Sequence, residues 1–367
     1  MANLSPLHIS YSAGSCDGGI ATAVSQLLDA QQQSGLFARW LTTEQNSVFT
    51  REKDLTDLID KLQPDLLHCH GLWRAHTRVL ASSYNLNRPY LVSPHGMLDP
   101  WAISRSPWKK WAAWNLWESK AFHTARCIHA LCDEEAEAIK SHVSGVPIAV
   151  IPNGVELPAA KREDLPDPVW SKEIPANDKV LLFLGRFHTK KGIEPLITAW
   201  QSVSQEAANS GWWLIFVGYG DDGKLESQLT NFPIARCSAY PAVFGTEKKS
   251  VLANSSAFIL PSFSEGLPMA ALEAMSYRLP CLLSKACNLP EATSTSAAIS
   301  ADPEVSKLAK SLQELFQLSS QDRTQMGRNG FKLILDKYNW QNISSKFNRL
   351  YAWVQDDSLP APDFIHF

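Results

Sequence analysis

Short apolar runs, each bounded by proline, glycine or polar residues, alternate with helix-length amphipathic segments along most of this 367-residue chain. The runs at 7–12, 37–41, 66–70, 90–93, 128–131 and 148–151 read as strands, and 20–33, following Gly18-Gly19, reads as a helix. That rhythm restricts the chain to βαβ units and parallel sheets. The periodicity is lost between Asn153 and Asp178, where Pro, Asp, Glu and Lys predict a connector. It resumes at 180–184, 213–217, 257–260 and 281–283, and beyond Ala301 the pattern turns helical at 303–318, 321–338 and 340–355. The expectation is two doubly wound, Rossmann-like domains: one over 1–165, a linker over 166–179 and a second over 180–338. The helix and tail over 339–367 would cross back to the first domain. Ligands of such sheets bind beyond the carboxyl ends of the strands, which makes the cleft between the domains the expected site.

Composition narrows the function. Hydrophobic residues make up 45% and charged residues 19%, enough for two cores, so disorder is excluded. The formal charge of −3 excludes a general nucleic-acid footprint, and any phosphate must be held by a few placed cations. The cysteines at 16, 69, 127, 132, 237, 281 and 287 are odd in number, and no pair has Cys-x-x-Cys spacing. They read as reduced core thiols. No signal peptide opens the sequence and no run approaches 18 apolar residues, so a cytoplasmic location is expected.

The strongest chemical signal is Ser264-Glu265-Gly266-Leu267-Pro268-Met269-Ala270-Ala271-Leu272-Glu273, directly after the strand-like 257–261. Pro268 suits the first turn of a helix. At ~1.5 Å per residue, Glu265 and Glu273 stand roughly 10 Å apart along the axis. A diphosphate on the helix N-terminus would lie between them, with Glu265 on the sugar side and Glu273 on the ribose side. Spacing alone leaves open two ordinary surface carboxylates, since Glu44 and Glu52 are equally far apart. The second turn, Gly185-Arg186-Phe187-His188-Thr189-Lys190-Lys191-Gly192, follows strand 180–184 and offers a guanidinium fork and an ammonium to a diphosphate. It lacks the P-loop order. No two aspartates stand two positions apart, so no Asp-x-Asp is present to hold a divalent ion on a diphosphate.

Together the two turns resemble those of the family 4 retaining glycosyltransferases, which carry Glu-x7-Glu after a Pro-Ser strand end and Gly-Arg…Lys-Gly after a strand. Further matches are Ile151-Pro152-Asn153-Gly154, Phe216-Val217-Gly218-Tyr219-Gly220, Phe244-Gly245 followed by Glu247-Lys248 and Leu252-Ala253, Gly18-Gly19 and Ser93-Pro94-His95-Gly96. The resemblance covers nearly the whole chain. It implies a GT-B fold, with an N-terminal acceptor-binding and a C-terminal donor-binding Rossmann-like domain facing across a cleft, and transfer of a hexose from a nucleotide sugar. UDP-glucose is the expected donor. A saccharide acceptor, lipid-linked, of bacterial polysaccharide biosynthesis is the expected partner, with no metal and no cofactor. Arg186 and Lys191 would hold the diphosphate and Glu273 the ribose. Glu265, Gly266, Leu267, Met269, Ala270 and Phe244 would line the donor, and His95, Gly18 and Gly19 would close on it. Gly266-Leu267-Pro268 departs from the Gly-Phe-Gly common in the family, which bears on the sugar. The implied mechanism is front-face attack with retention. A nucleotide-sugar 2-epimerase or a non-catalytic nucleotide-sugar-binding protein are the alternatives.

Two clusters stay open at this stage. His68, His70 and His76 surround a strand end and His95 lies in the next such turn, either as a site residue or as a hydrogen-bonded structural histidine; no metal is assigned to them. Trp101, Trp108, Trp111, Trp114 and Trp117 are interleaved with Arg105, Lys109, Lys110 and Lys120. This run reads either as a contact with an anionic membrane or lipid-linked acceptor, or as a buried aromatic helix.

Overall fold

The computed structural model describes residues 4–14, 19–44, 52–82, 88–104, 106–356 and 358–367. Gly18, Cys16 and Arg105 lie outside these described residues. The chain divides into two compact units, Met1–Gly154 with Trp340–Phe367, and Val155–Asn339.

The first unit is built on β1 (Pro6–Ser10), β2 (Arg39–Thr42), β3 (Leu66–His70), β4 (Tyr90–Ser93), β5 (Cys127–Ala130) and β6 (Ile148–Val150). All pair in parallel, in the order β6-β5-β4-β3-β1-β2. Every residue of β1, β3, β4 and β5 is buried, as expected for strands covered by helices on both faces. The strand order reverses between β1 and β3, so the connections leaving them diverge and open a crevice at their carboxyl ends. The helix Trp340–Gln355 shares this unit's core. Its Ile343, Phe347, Leu350 and Tyr351 pack with Leu27, Leu66, Leu91 and Ile151.

The second unit contains β7 (Lys179–Arg186), β8 (Trp212–Tyr219), β9 (Cys237–Pro241), β10 (Ala257–Leu260), β11 (Cys281–Leu283) and β12 (Ala298–Ser300). They form one parallel sheet, β12-β11-β10-β7-β8-β9. This is the dinucleotide-fold order, with its reversal between β7 and β10. A final strand, β13 (Ile365–His366), returns to the first sheet antiparallel to β6.

The linker reading needs correction. Residues 155–179 belong to the second unit, because the polar stretch carries two apolar anchors. Trp170 and Ile174 are buried in the second core, and the Ser250 hydroxyl donates to the Pro166 carbonyl at 2.5 Å. The boundary falls at Gly154, since Val155 N donates to the Tyr338 carbonyl at 2.7 Å and pairs with Asn339. Among the described residues the cysteines are free thiols, and no helix is long and apolar enough to cross a membrane.

Candidate functional site

The turn after β7 meets the loop after β10 where the second sheet reverses. Gly192 makes the approach possible. Its φ is +69°, and a Cβ there would sit 2.0 Å from the Pro261 carbonyl oxygen. Phe263 N donates to the Lys190 carbonyl at 2.7 Å, tying the loops together. Lys191 Nζ consequently lies 2.6 Å from Glu265 Oε1, and the Ser262 hydroxyl donates to the same oxygen at 2.5 Å. The lysine and glutamate side chains are 16% and 7% exposed. Asn288 holds the loop from below, its amide donating to the carbonyls of Glu265 and Gly266. Arg186 ends β7 with an exposed side chain. Gly220, at φ +104°, leaves room for its stem, since a Cβ there would lie 2.7 Å from Arg186 Cγ.

Pro268 is the N-cap rather than the first turn, and the helix runs Met269–Ser276 with no side-chain cap and no acid in its first turn. An uncapped N-terminus offers its positive end to an anion. Glu273 accepts from Lys248 Nζ at 2.7 Å. Lys248 comes from the helix Gly245–Ala253, whose N-cap is the exposed Phe244. Leu267, Met269 and Ala270 are partly buried against the second core. Within the second unit the structure thus joins Lys191 to Glu265 and Lys248 to Glu273, with Arg186 at the end of β7 and Gly266 next to Glu265. To these it adds Lys248, to which the sequence pattern gave no role, together with Ser262 and Asn288.

In the first unit, His95 follows β4 with φ +53° and its Nε2 lies 3.0 Å from His70 Nδ1. Gly19 opens the helix Gly19–Gln33. A cavity of about 480 Å³ lies at the reversal of the first sheet, lined by Tyr11, His70, Trp73, Arg74, Lys109, Lys110 and Trp117 among others, with no carboxylate among the described residues. Arg74 stacks on Tyr11 at 4.5 Å. Glu118 supports the lining by accepting from Trp73 N and Trp117 Nε1, and burial pushes its carboxyl up to about 6. The tryptophan run divides between core and surface. Trp114 and Trp117 pack against the first core, whereas Trp108 and Trp111 are 69% and 71% exposed.

His8, His68 and His70 bring ring nitrogens within 4.8 Å of one another, as a metal site would. Each of those nitrogens bonds instead to a side chain. His8 bonds His70 and Gln31, His68 bonds Tyr351 and Ser93, and His70 bonds His8 and His95. Burial holds His8 and His129 down to about 4 and His95 to about 3. Burial, together with the neighbouring imidazoles, pushes His68 and His70 well below the ordinary range.

Two Rossmann-like parallel sheets, the second with paired lysines and glutamates around its reversal point, define a glycosyltransferase of the GT-B class. Residues 18–158 match the model of Glycosyltransferase Family 4, and 167–333 that of Glycosyl transferases group 1. The chain belongs to glycosyltransferase family 4. It is 26% identical over 223 residues to TuaC of Bacillus subtilis (strain 168), provisionally named a teichuronic acid biosynthesis glycosyltransferase, covering 60% of this chain and 53% of TuaC. It is 29% identical over 167 residues to the Escherichia coli UDP-Gal:alpha-D-GlcNAc-diphosphoundecaprenol alpha-1,3-galactosyltransferase, covering 43% of this chain and 41% of that enzyme. The chain thus spans about half the length of these relatives. Anabaena Alr3699/HepE in complex with UDP-glucose superposes with a TM-score of 0.73 over 95% of this chain and 99% of that one, at 16% identity, a likeness of fold.

Proposed function

We propose that the chain is a metal-independent, retaining hexosyltransferase that moves glucose from UDP-glucose to a lipid-linked saccharide in bacterial polysaccharide biosynthesis, on the cytoplasmic side of a membrane. The observation that carries this reading is the pair of ion pairs, Lys191–Glu265 and Lys248–Glu273, at the reversal of the second sheet. An ammonium has three N–H bonds, and Lys191 gives one to Glu265, which orients the others. Arg186, Lys191 and the N-terminus of the helix Met269–Ser276 hold the diphosphate and neutralise it as it leaves, so the reaction invokes no metal or cofactor. Glu273, steadied by Lys248, takes the ribose hydroxyls, Glu265 and Gly266 the sugar ring, and Phe244, Leu267, Met269 and Ala270 the rest of the donor. His95, Gly18 and Gly19 are assigned to the sugar side. The acceptor hydroxyl attacks the anomeric carbon on the face from which the diphosphate departs. The departing diphosphate oxygen takes the hydroxyl proton.

The UDP-glucose bound by the structurally similar HepE protein supports the donor, and the diphosphoundecaprenol in the galactosyltransferase's name supports the acceptor. The cavity lined by Arg74, Lys109 and Lys110 suits an acceptor bearing phosphate. Exposed Trp108, Trp111 and Leu116 beside Lys109 suit a headgroup layer. The test supplies purified protein with UDP-glucose and a lipid-linked saccharide extract in excess EDTA. UDP release that depends on the extract, with an α-configured glucoside by NMR, is expected. A β product, or activity lost to EDTA and restored by manganese, would reject the mechanism.

A further inference from the structure

A line of buried groups in the first unit has only one consistent direction for its protons. The Ile151 carbonyl can only accept, so His129 Nε2, 2.7 Å away, carries a proton. Neutral His129 then offers Nδ1 as an acceptor, and the Ser93 hydroxyl donates to it at 2.7 Å. Ser93 Oγ accepts from His68 Nε2 at 2.6 Å, which leaves His68 Nδ1 to accept from the Tyr351 hydroxyl at 2.8 Å. Tyr351 accepts from the Gln31 amide nitrogen at 3.2 Å, so the Gln31 oxygen accepts from His8 Nε2 at 3.0 Å. His8 Nδ1 accepts from His70 Nε2 at 2.9 Å, and His70 Nδ1 accepts from His95 Nε2 at 3.0 Å.

We infer that this line is a positioning device that fixes His95 as its Nε2-protonated tautomer and presents Nδ1 as an acceptor for a sugar hydroxyl. Gln31, Tyr351 and His70 are the positioning residues. Reversing the line would turn the Gln31 amide over and place the lone pair of His129 Nε2 against the Ile151 oxygen at 2.7 Å, two buried acceptors face to face. The carbonyl of Ile151 therefore sets the proton on His95 at the far end. His95 in this state cannot act as a general acid from Nδ1. The catalytic part of the inference rests on the assignment of His95 to the sugar.

The test is 15N NMR of the ring nitrogens of the full chain at neutral pH, paired with kinetics. His8, His68, His70, His95 and His129 are all expected as Nε2-protonated neutral rings. Tyr351→Phe keeps the buried ring but removes the donor to His68, so Gln31 can turn over and His95 should become a mixture of tautomers. Its kcat should fall on the order of five- to tenfold, the equivalent of one lost hydrogen bond, with donor KM unchanged. His70→Asn keeps an acceptor near Nδ1 and should retain more kcat than His70→Ala. A wild-type His95 protonated on Nδ1, or a Tyr351→Phe protein with an unchanged His95 signal, overturns the proton order. Shifted tautomers with unchanged kcat overturn the positioning role. If no transfer is found with any donor, the proposed function fails, while the wild-type spectrum still decides the proton order.

Discussion

Lys191 and Glu265 stand 74 positions apart in sequence and 2.6 Å apart in the fold. Both residues were legible, because each lies in a strand-to-helix turn with its own signature of glycine, charge and proline. Their pairing was not legible, since it depends on Gly192 letting one turn sit against the backbone of the other. The role of Lys248 was not legible for a related reason. Lys248 sits within a helix with no phosphate-turn pattern, and its partner Glu273 comes from a different helix. Breaking the first pair should separate stability from chemistry. Lys191→Met leaves Glu265 buried with one hydroxyl partner, and removing one member of a buried pair costs about 3–5 kcal/mol. Adding Glu265→Gln should restore most of the melting temperature. Turnover should stay depressed by about 10²–10³ in the double variant, the loss typical of one transition-state donor. Recovery of turnover along with stability would show that the pair is structural.

Among the elements, the six strands of the first sheet were legible from apolar runs, and so was the helix Trp340–Gln355. β9, β12 and β13 were not. β12 has three residues and β13 two, and β9 carries Ser238 and Pro241, so each draws its ladder from a neighbour rather than from its own pattern. The polar stretch over 166–179, expected as a linker, shows the converse: two buried side chains, Trp170 and Ile174, decide where it packs. The tryptophan run shows the limit of composition, because Trp108 and Trp111 of one segment serve the surface while Trp114 and Trp117 serve the core. Its exposed rings carry a prediction. Wild-type protein should bind vesicles rich in phosphatidylglycerol at low salt, and the binding should fade as salt shortens the Debye length. Trp108→Ser with Lys109→Glu should weaken it without lowering the melting temperature, because both side chains are exposed. Each cation near an anionic leaflet contributes about 1 kcal/mol. Wild-type protein that stays in solution with such vesicles at low salt would leave the exposed face without a membrane role.

At the scale of the molecule, each unit has its own parallel sheet and its own core, and the last helix returns the chain to the first unit. The alternation of runs made that duplicated architecture legible. The return was foreseen from the helical C-terminus, while its contribution of Tyr351 to the histidine line was not, since that contact joins residues 283 positions apart. The proposed function places the donor on the second unit, and binding can be measured before any acceptor is known. The decisive measurement is the melting temperature of the wild type, Lys191→Met and Glu273→Ala proteins against UDP-glucose, other nucleotide sugars and free UDP. A ligand at a hundredfold excess over its Kd stabilises by about 2.7 kcal/mol, so the wild-type midpoint should rise by several degrees with UDP-glucose. Both variants should show a much smaller rise at the same concentration. A wild-type midpoint that no nucleotide sugar or UDP moves, or variants that respond as the wild type does, would contradict a donor site built on these residues.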